Sequence, residues 1–236
     1  MECTCVHCGE RFQAEPAPKH RLLCGDATDA DVVRNYVTGG EPAVTITDPP
    51  YNVSLEGYGE ETDDTQDDGT YERWTRQWFA LWGGVEGKLI VTPGCNNLAS
   101  WCRWFSPYHV APWTKTNGIT NGKISRFWCW EPIMFFGVKW PRGRPNDVFD
   151  FPIGLQKEVG DHPCPKPLTL WRELVECYSE PGDLLLEPFA GSGTTVIACE
   201  QTGRQCWAAE ISPKFCDLVL TRWERLTGQT AEKISD

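Results

Sequence analysis

Residues 184–195 read LLLEPFAGSGTT, and this segment is the strongest local structural signal in the chain. Its three leucines predict a buried strand, and its two glycines predict a sharp turn at which a ligand can approach the backbone. Residues 194–201 then predict a helix, and residues 205–209 predict a second strand that ends at Glu210. Strands that alternate with helices in this way are typical of a mostly parallel sheet covered on both faces.

The glycine-rich turn also indicates a nucleoside ligand. It matches neither the GxGxxG pattern of dinucleotide sites nor the lysine-containing ending of a phosphate-binding loop. Glu210 lies seventeen residues after Gly193, at the end of the next strand, where a carboxylate can accept hydrogen bonds from both hydroxyls of a ribose. Such a turn suits a nucleoside whose tail carries no phosphate, and S-adenosylmethionine is such a ligand. An ordinary connection with glycines for packing is the alternative.

A second motif follows the short β-branched run at residues 43–47. Asp48, Pro49, Pro50 and Tyr51 come directly after it, and the two prolines bar a continuing strand. An exocyclic amine of a base is a poor nucleophile because its lone pair is delocalised into the ring. The Asp48 carboxylate and the rigidly held Pro49 carbonyl can accept its two hydrogens and so localise that lone pair. Tyr51 offers a ring on which an extruded base can stack, although a strand-ending turn with an incidental tyrosine would have the same sequence.

Other segments continue the alternation of strands and helices. The residue pattern predicts a strand at 88–92 and a helix at 167–178, with Pro167 in its first turn. Further helices are predicted at 71–82, 96–105 and 213–226. The chain has 236 residues, 40% of them hydrophobic, which is enough for one α/β domain with a sizeable core.

Charge is unevenly distributed along the chain. The net charge of −11 by itself argues against a nucleic-acid partner, because affinity for phosphates normally comes from lysine and arginine. Residues 56–72 hold eight carboxylates and no basic residue, which predicts a solvated loop. Basic side chains instead gather between Ala111 and Asn146, where Glu131 is the one carboxylate among Lys115, Lys123, Arg126, Lys139, Arg142 and Arg144.

Twelve cysteines are scattered along the chain, and three of them lie within residues 1–19, which we interpret as an appendage. Four residues have the spacing of zinc ligands: Cys5, Cys8, His20 and Cys24. Cys3 and His7 are alternative ligands, and free thiols are the competing interpretation. The sequence carries no secretory signal and no membrane-spanning run, so we expect reduced thiols and a cytoplasmic protein.

Together, these motifs resemble those of the amino-group DNA methyltransferases. Residues 48–51 resemble the catalytic motif of that family, and residues 189–195 resemble its cofactor motif. The catalytic motif comes first, which is the circularly permuted order of the β group. Two further segments, HPCPKP at residues 162–167 and LLCGDA at residues 22–27, are also similar to segments of the family.

The resemblance covers about residues 20–226 and implies a Rossmann-like α/β fold with a mostly parallel, seven-stranded sheet and helices on both faces. Residues 113–115 and 131–134 look like later strands of that sheet. The methyltransferase domain would occupy residues 20–236, with a small target-recognition insert at about 114–147.

The activity that the resemblance implies is the methylation of a flipped base in double-stranded DNA, with S-adenosylmethionine as the donor. Adenine N6 is the expected target because the motif begins with Asp48, whereas a serine there would favour cytosine N4. The alternatives are cytosine N4 methylation, methylation of RNA or protein amides, and a non-catalytic relative that binds nucleic acid. The short insert implies a short target sequence or help from a second subunit in a homodimer, in the cytoplasm of a bacterial or phage-infected cell.

The resemblance also assigns roles to individual residues. Asp26 would meet the adenine amino group of the cofactor, Glu210 the ribose and Lys166 the carboxylate, while residues 189–193 would wrap the methionine part. The implied cofactor-binding residues are Asp26, Ala27, Asp48, Lys166, Glu187, Phe189, Ala190, Gly191, Ser192, Gly193, Thr194, Thr195 and Glu210. The residues expected to contact DNA are Asn52, Lys115, Lys123, Arg126, Arg142 and Arg144.

Overall fold

A computed structural model describes residues 20–53, 66–83, 87–116, 129–141, 146–153 and 165–233, together with the backbone of residues 2–4 and 11–13. Its strands are β1 (Glu2–Thr4), β2 (Arg11–Gln13), β3 (His20–Cys24), β4 (Pro42–Thr47), β5 (Leu89–Val91), β6 (His109–Lys115), β7 (Trp130–Phe136), β8 (Phe149–Phe151), β9 (Leu184–Glu187) and β10 (Gln205–Glu210). Its helices are α1 (Ala30–Val37), α2 (Asp68–Gly83), α3 (Leu98–Trp104), α4 (Leu168–Tyr178), α5 (Thr194–Thr202) and α6 (Pro213–Thr227).

One large sheet has the strand order β3-β10-β9-β4-β5-β7-β6-β8. The first five strands in this order are parallel to one another, whereas β7 runs antiparallel to its neighbours β5 and β6. The predicted α/β class and the mostly parallel sheet are therefore confirmed, but the sheet has eight strands where seven were predicted. The additional strand, β8, pairs with the outer edge of β6 and buries Phe149.

Alternating side chains of the central strands feed two hydrophobic clusters on opposite faces of the sheet. Leu185 packs with residues of α4 and α5 on one face. Leu184 and Leu186 pack on the other face, together with Trp78 of α2 and Trp101 of α3. β9 lies between two helical layers, so both of its faces are buried, which explains its near-continuous apolar run. Full burial of each leucine contributes about 1.5–3 kcal/mol.

The order of the sheet decides where a site can form. β4 and β9 are adjacent and parallel, with Thr45 opposite Leu186, although β9 follows β4 by more than a hundred residues. The carboxyl ends of both strands therefore meet at one edge of the sheet. Ligands of parallel α/β folds bind in the crevice at such an edge.

Most of the predicted elements are present. The helix expected at 71–82 is α2, and the one expected at 96–105 is a short 3₁₀ turn at Cys95–Asn97 followed by α3. Within the range of the proposed insert at 114–147, β7 lies inside the large sheet between β5 and β6. The backbone of β1 and β2 forms a separate antiparallel pair within residues 1–19. Among the residues that the structure describes, no helix is long and apolar enough to cross a membrane.

The structure corrects the part of His20 in the proposed zinc site. The Nε2 atom of His20 lies 2.8 Å from Glu200 Oε2, and its Nδ1 accepts a hydrogen bond of 3.0 Å from the backbone N–H of Cys206. Both ring nitrogens are engaged within the chain, so no lone pair is left for a metal. Cys5 and Cys8 lie outside the described residues, and the described part of the chain holds no metal-binding cluster of histidine, cysteine and carboxylate side chains.

Candidate active site

A cavity of about 410 Å³ opens at the carboxyl ends of β4 and β9. Its walls bring together the two motifs, since the predicted catalytic and cofactor-binding residues, with the exception of Gly193, all line it. The sequence did not indicate several other lining residues: Gly25, Gln66, Tyr71, Trp74, Glu131, Trp171, Pro188, Ile211 and Phe215. The volume lies in the range of about 300–1,000 Å³ that is usual for small-molecule sites.

The glycine-rich turn is held by Glu210. Gly191 and Gly193 have φ angles of +50° and +76°, which favour glycine because other side chains clash there. The N–H of Gly191 donates to Glu210 Oε2 at 2.7 Å, and the N–H of Ser212 donates to Glu210 Oε1 at 2.9 Å. Two backbone donors therefore aim the Glu210 carboxylate at the cavity, where its remaining lone pairs can accept ribose hydroxyls.

Glu187 supports the site from beneath. Its Oε1 accepts from the Thr47 hydroxyl at 2.5 Å and from the Phe189 N–H at 2.9 Å, and its Oε2 accepts from the Thr195 hydroxyl at 2.6 Å. Burial raises the pKa of Glu187 from 4.5 to about 8, even though these three donors act in the opposite direction. Glu187, which we predicted to bind the cofactor, borders the cavity, but its oxygens accept hydrogen bonds from the chain and join β4 to the glycine-rich turn.

This raised pKa predicts a specific pH dependence of stability. Between pH 4.5 and about 8 the folded chain binds more protons at Glu187 than the unfolded chain, so the contribution of Glu187 to the free energy of unfolding falls as pH rises. Glu187→Gln should therefore flatten the pH dependence of urea unfolding between pH 5 and 8. Glu176→Gln, on the half-exposed side of α4, is the matched control and should keep the wild-type slope. If Glu187→Gln keeps the wild-type pH dependence of the free energy of unfolding, the pKa of Glu187 is not raised in the folded chain.

Asp48 is the centre of a hydrogen-bond network at the opposite wall. Its Oδ1 accepts from the Tyr51 hydroxyl at 2.7 Å and from the Thr92 hydroxyl at 2.5 Å, and its Oδ2 forms an ion pair with Lys166 Nζ. Lys166 Nζ also lies 4.9 Å from the centre of the Tyr51 ring. Lys166, which we predicted beside a cofactor carboxylate, is thus in contact with the catalytic motif in this structure.

The turn that carries Tyr51 is fixed by neighbours that the sequence did not indicate. The Tyr71 hydroxyl donates to the Pro50 carbonyl at 2.8 Å, and the Asn97 side chain donates to the Tyr51 carbonyl at 2.8 Å. Gly94 has a φ of +77°, and a Cβ added there would lie 2.7 Å from Tyr51 Cδ2. Glycine at this position therefore lets the tyrosine ring pack directly on the backbone.

Asn52 and Lys115, predicted to contact DNA, are engaged within the chain. The Asn52 side chain makes two hydrogen bonds of 2.7 Å with the backbone of Gln66, so it ties the turn after Tyr51 to the residues that precede α2. Lys115 Nζ lies 2.5 Å from Glu131 Oε1, and only 12% of its side chain is exposed. The other predicted DNA contacts, Lys123, Arg126, Arg142 and Arg144, lie outside the described residues.

Sequence comparison relates part of the chain to a known family. A profile of the DNA methylase family matches residues 107–221. The DNA adenine methyltransferase YhdJ of Escherichia coli is 34% identical over 93 residues, which are 39% of this chain and 32% of YhdJ. Residues 107–221 are thus similar in sequence to the DNA methylases.

Two further similarities extend over most of the chain. The type II methyltransferase M.HpaI of Haemophilus parainfluenzae is 25% identical over 86% of the chain and 73% of M.HpaI. The crystal structure of an M1.HpyAVI–SAM complex shares the fold with a TM-score of 0.66 at 20% identity, covering 86% of this chain and 98% of that one. The match to YhdJ, in contrast, spans about a third of that relative's length.

Proposed function

We propose that the protein transfers a methyl group from S-adenosylmethionine to an exocyclic amine of a DNA base, with adenine N6 as the preferred target. The observation that carries this proposal is the single cavity in which the Asp48–Tyr51 turn faces the glycine-rich turn and Glu210. A methyl donor and a base can then occupy one enclosed space, as direct transfer requires.

The cofactor half of the cavity fits S-adenosylmethionine. Glu210 presents a carboxylate to the ribose, and Asp26, whose Oδ1 is fixed by the N–H and hydroxyl of Thr28 at 2.8 Å, presents another to the adenine amino group. Phe189 and Phe215 supply apolar walls for the cofactor. Bound S-adenosylmethionine would supply an electrophilic methyl group on a sulfonium.

The other half of the cavity fits the amine of a flipped base. Asp48 and the carbonyl of Pro49 are the acceptors for its two hydrogens, and their pull draws the nitrogen lone pair out of the ring. The prolines and the Tyr71 bond to Pro50 hold this carbonyl still. The amine gives up one proton as it gains the methyl group, and the Asp48 carboxylate is the base that faces it. The Tyr51 ring provides the stacking surface for the extruded base.

Two observations favour adenine over cytosine as the target. The motif begins with Asp48, as is expected for the adenine-directed members. The relative YhdJ, which is 34% identical over its short match of 93 residues, is a DNA adenine methyltransferase. Cytosine N4 is the second candidate, because its amine presents the same pair of hydrogens to the same two acceptors.

Double-stranded DNA is the proposed substrate, and a homodimer is the proposed assembly. The side chains left to meet phosphates are those predicted at Lys123, Arg126, Arg142 and Arg144, since Lys115 is paired with Glu131. A second subunit would extend the surface available to DNA beyond the narrow insert. Light scattering of the purified protein, alone and with a DNA duplex, tests the assembly.

The decisive experiment is to express the protein in a host that lacks other DNA methylases and to digest the host DNA to nucleosides. We expect N6-methyladenine by mass spectrometry, and none from cells that express Asp48→Ala. N4-methylcytosine would instead establish the second candidate. Unmodified DNA, from cells whose purified protein binds S-adenosylmethionine, would overturn the proposed substrate. Where the DNA is methylated, direct sequencing of the modified bases would identify the target sequence.

A further inference from the structure

Glu131 reaches the catalytic network from the neighbouring strands. It lies on β7, and its Oε1 forms the ion pair with Lys115 of β6, while its Oε2 lies 3.1 Å from the Tyr51 hydroxyl. The side chain of Glu131 is 15% exposed. Burial raises its pKa, but Lys166, Lys115 and the Tyr51 hydroxyl together leave that pKa below the ordinary value of 4.5, so the carboxylate is ionised.

The Tyr51 hydroxyl therefore has two carboxylate acceptors and one proton. Asp48 Oδ1 lies at 2.7 Å and Glu131 Oε2 at 3.1 Å, so the proton points mainly to Asp48 in this structure. Burial and the two carboxylates raise the pKa of Tyr51 well above its usual value. The hydroxyl thus stays protonated and acts as a donor that can face either carboxylate.

The contact with Tyr51 occupies an acceptor that a target amine needs. A carboxylate oxygen accepts about two hydrogen bonds, and Asp48 Oδ1 already receives the hydroxyls of Tyr51 and Thr92. Asp48 Oδ2 is paired with Lys166. An amine that approaches Oδ1 therefore competes with the Tyr51 and Thr92 hydroxyls, and displacing the Tyr51 hydroxyl would be costly if that buried hydroxyl were left without an acceptor.

We propose that Glu131 is a positioning residue that receives the Tyr51 hydroxyl when the target amine binds to Asp48. The inference rests on the proposed methylation of a base amine. The exchange moves one hydrogen bond from Asp48 Oδ1 to Glu131 Oε2 and transfers no proton. Lys115 keeps Glu131 ionised and in place. Strands β6 and β7 therefore contribute to catalysis through residues that lie outside both motifs.

A double-mutant cycle tests this exchange. Glu131→Gln should lower kcat about tenfold and raise the KM for DNA, because the displaced hydroxyl loses its charged acceptor. The affinity for S-adenosylmethionine should stay within about twofold of wild type, since Glu131 acts on the base half of the cavity. In a Tyr51→Phe background, which keeps the ring but has no hydroxyl to move, Glu131→Gln should change kcat less than twofold, as expected for lost coupling.

A purely structural role for Glu131 predicts a different result, namely equal losses in both backgrounds, and such additivity would overturn the inference. Loss of all activity in Tyr51→Phe would also overturn the inference, because the hydroxyl would then be required for the reaction itself and not only move its hydrogen bond from Asp48 to Glu131. If Glu131→Gln alone does not fold, the neutral pair Lys115→Gln with Glu131→Gln removes both charges together and enters the same cycle. Wild-type protein that methylates no DNA base would overturn the proposed function, whereas an active wild type with an additive cycle would overturn this inference alone.

Discussion

Asp48→Ala is expected to reduce methyl transfer about 10²–10⁴-fold, the range typical of losing a group that handles protons in the transition state. The alanine removes one of the two acceptors that draw the amine lone pair out of the base. It should leave the affinity for S-adenosylmethionine close to wild type, because Glu210 and the glycine-rich turn remain intact. Incorporation of a labelled methyl group into DNA measures the first effect, and calorimetry measures the second.

Asp48→Asn separates charge from shape in the same test. The asparagine keeps an acceptor oxygen for the Tyr51 and Thr92 hydroxyls but loses the ion pair with Lys166. We expect it to retain the fold and still lose most of the activity. Activity within tenfold of wild type in both variants would refute the role of Asp48.

Gly193→Val is expected to abolish cofactor binding. The φ of +76° is unfavourable for valine, at a cost of about 1–3 kcal/mol, and overpacking adds about 1–3 kcal/mol. A Cβ at this position would lie 2.9 Å from Val219 Cγ1, in the core beneath the turn. The turn must shift to relieve this contact, and the Gly191 bond that aims Glu210 would be lost with it. We therefore expect calorimetry to detect no binding of S-adenosylmethionine.

Gly182→Ala is the matched control for the glycine experiment. Gly182 also has a positive φ, of +94°, but an added Cβ would meet nothing within 4 Å. This variant should lose about 1 kcal/mol of stability from the backbone alone and bind the cofactor normally. If Gly193→Val folds and binds S-adenosylmethionine as tightly as Gly182→Ala does, the glycine-rich turn does not hold the cofactor.

Local patterns were sufficient to predict the elements that carry the two motifs. The leucines of β9 and the β-branched run of β4 indicate buried strands, and the glycines between β9 and α5 indicate a turn with positive φ angles. β8 was not predicted, because its burial depends on pairing with the neighbouring edge of β6. The number of strands in the sheet therefore depends on the pairing of β8 with β6, which the local sequence does not encode.

The partners of the site residues could be predicted less well than the residues themselves. Asn52 and Lys115 have the side chains of DNA-contacting residues, but Gln66 and Glu131 engage them from other segments of the chain. His20 has the spacing of a zinc ligand, yet its partner Glu200 lies 180 residues away. Such pairs are set by which strands become neighbours, and a single sequence gives no local signal for them.

The adjacency of β4 and β9 has a consequence for biosynthesis. Thr47 and Glu187, whose side chains join these strands, are 140 residues apart, so closing this loop is a slow, entropically costly step that local contacts cannot replace. A nascent chain on the ribosome would hold the Asp48–Tyr51 turn long before it holds a donor site. Under the proposed function, the emerging polypeptide would therefore gain affinity for the methyl donor only after residues 184–210 have been translated and inserted beside β4.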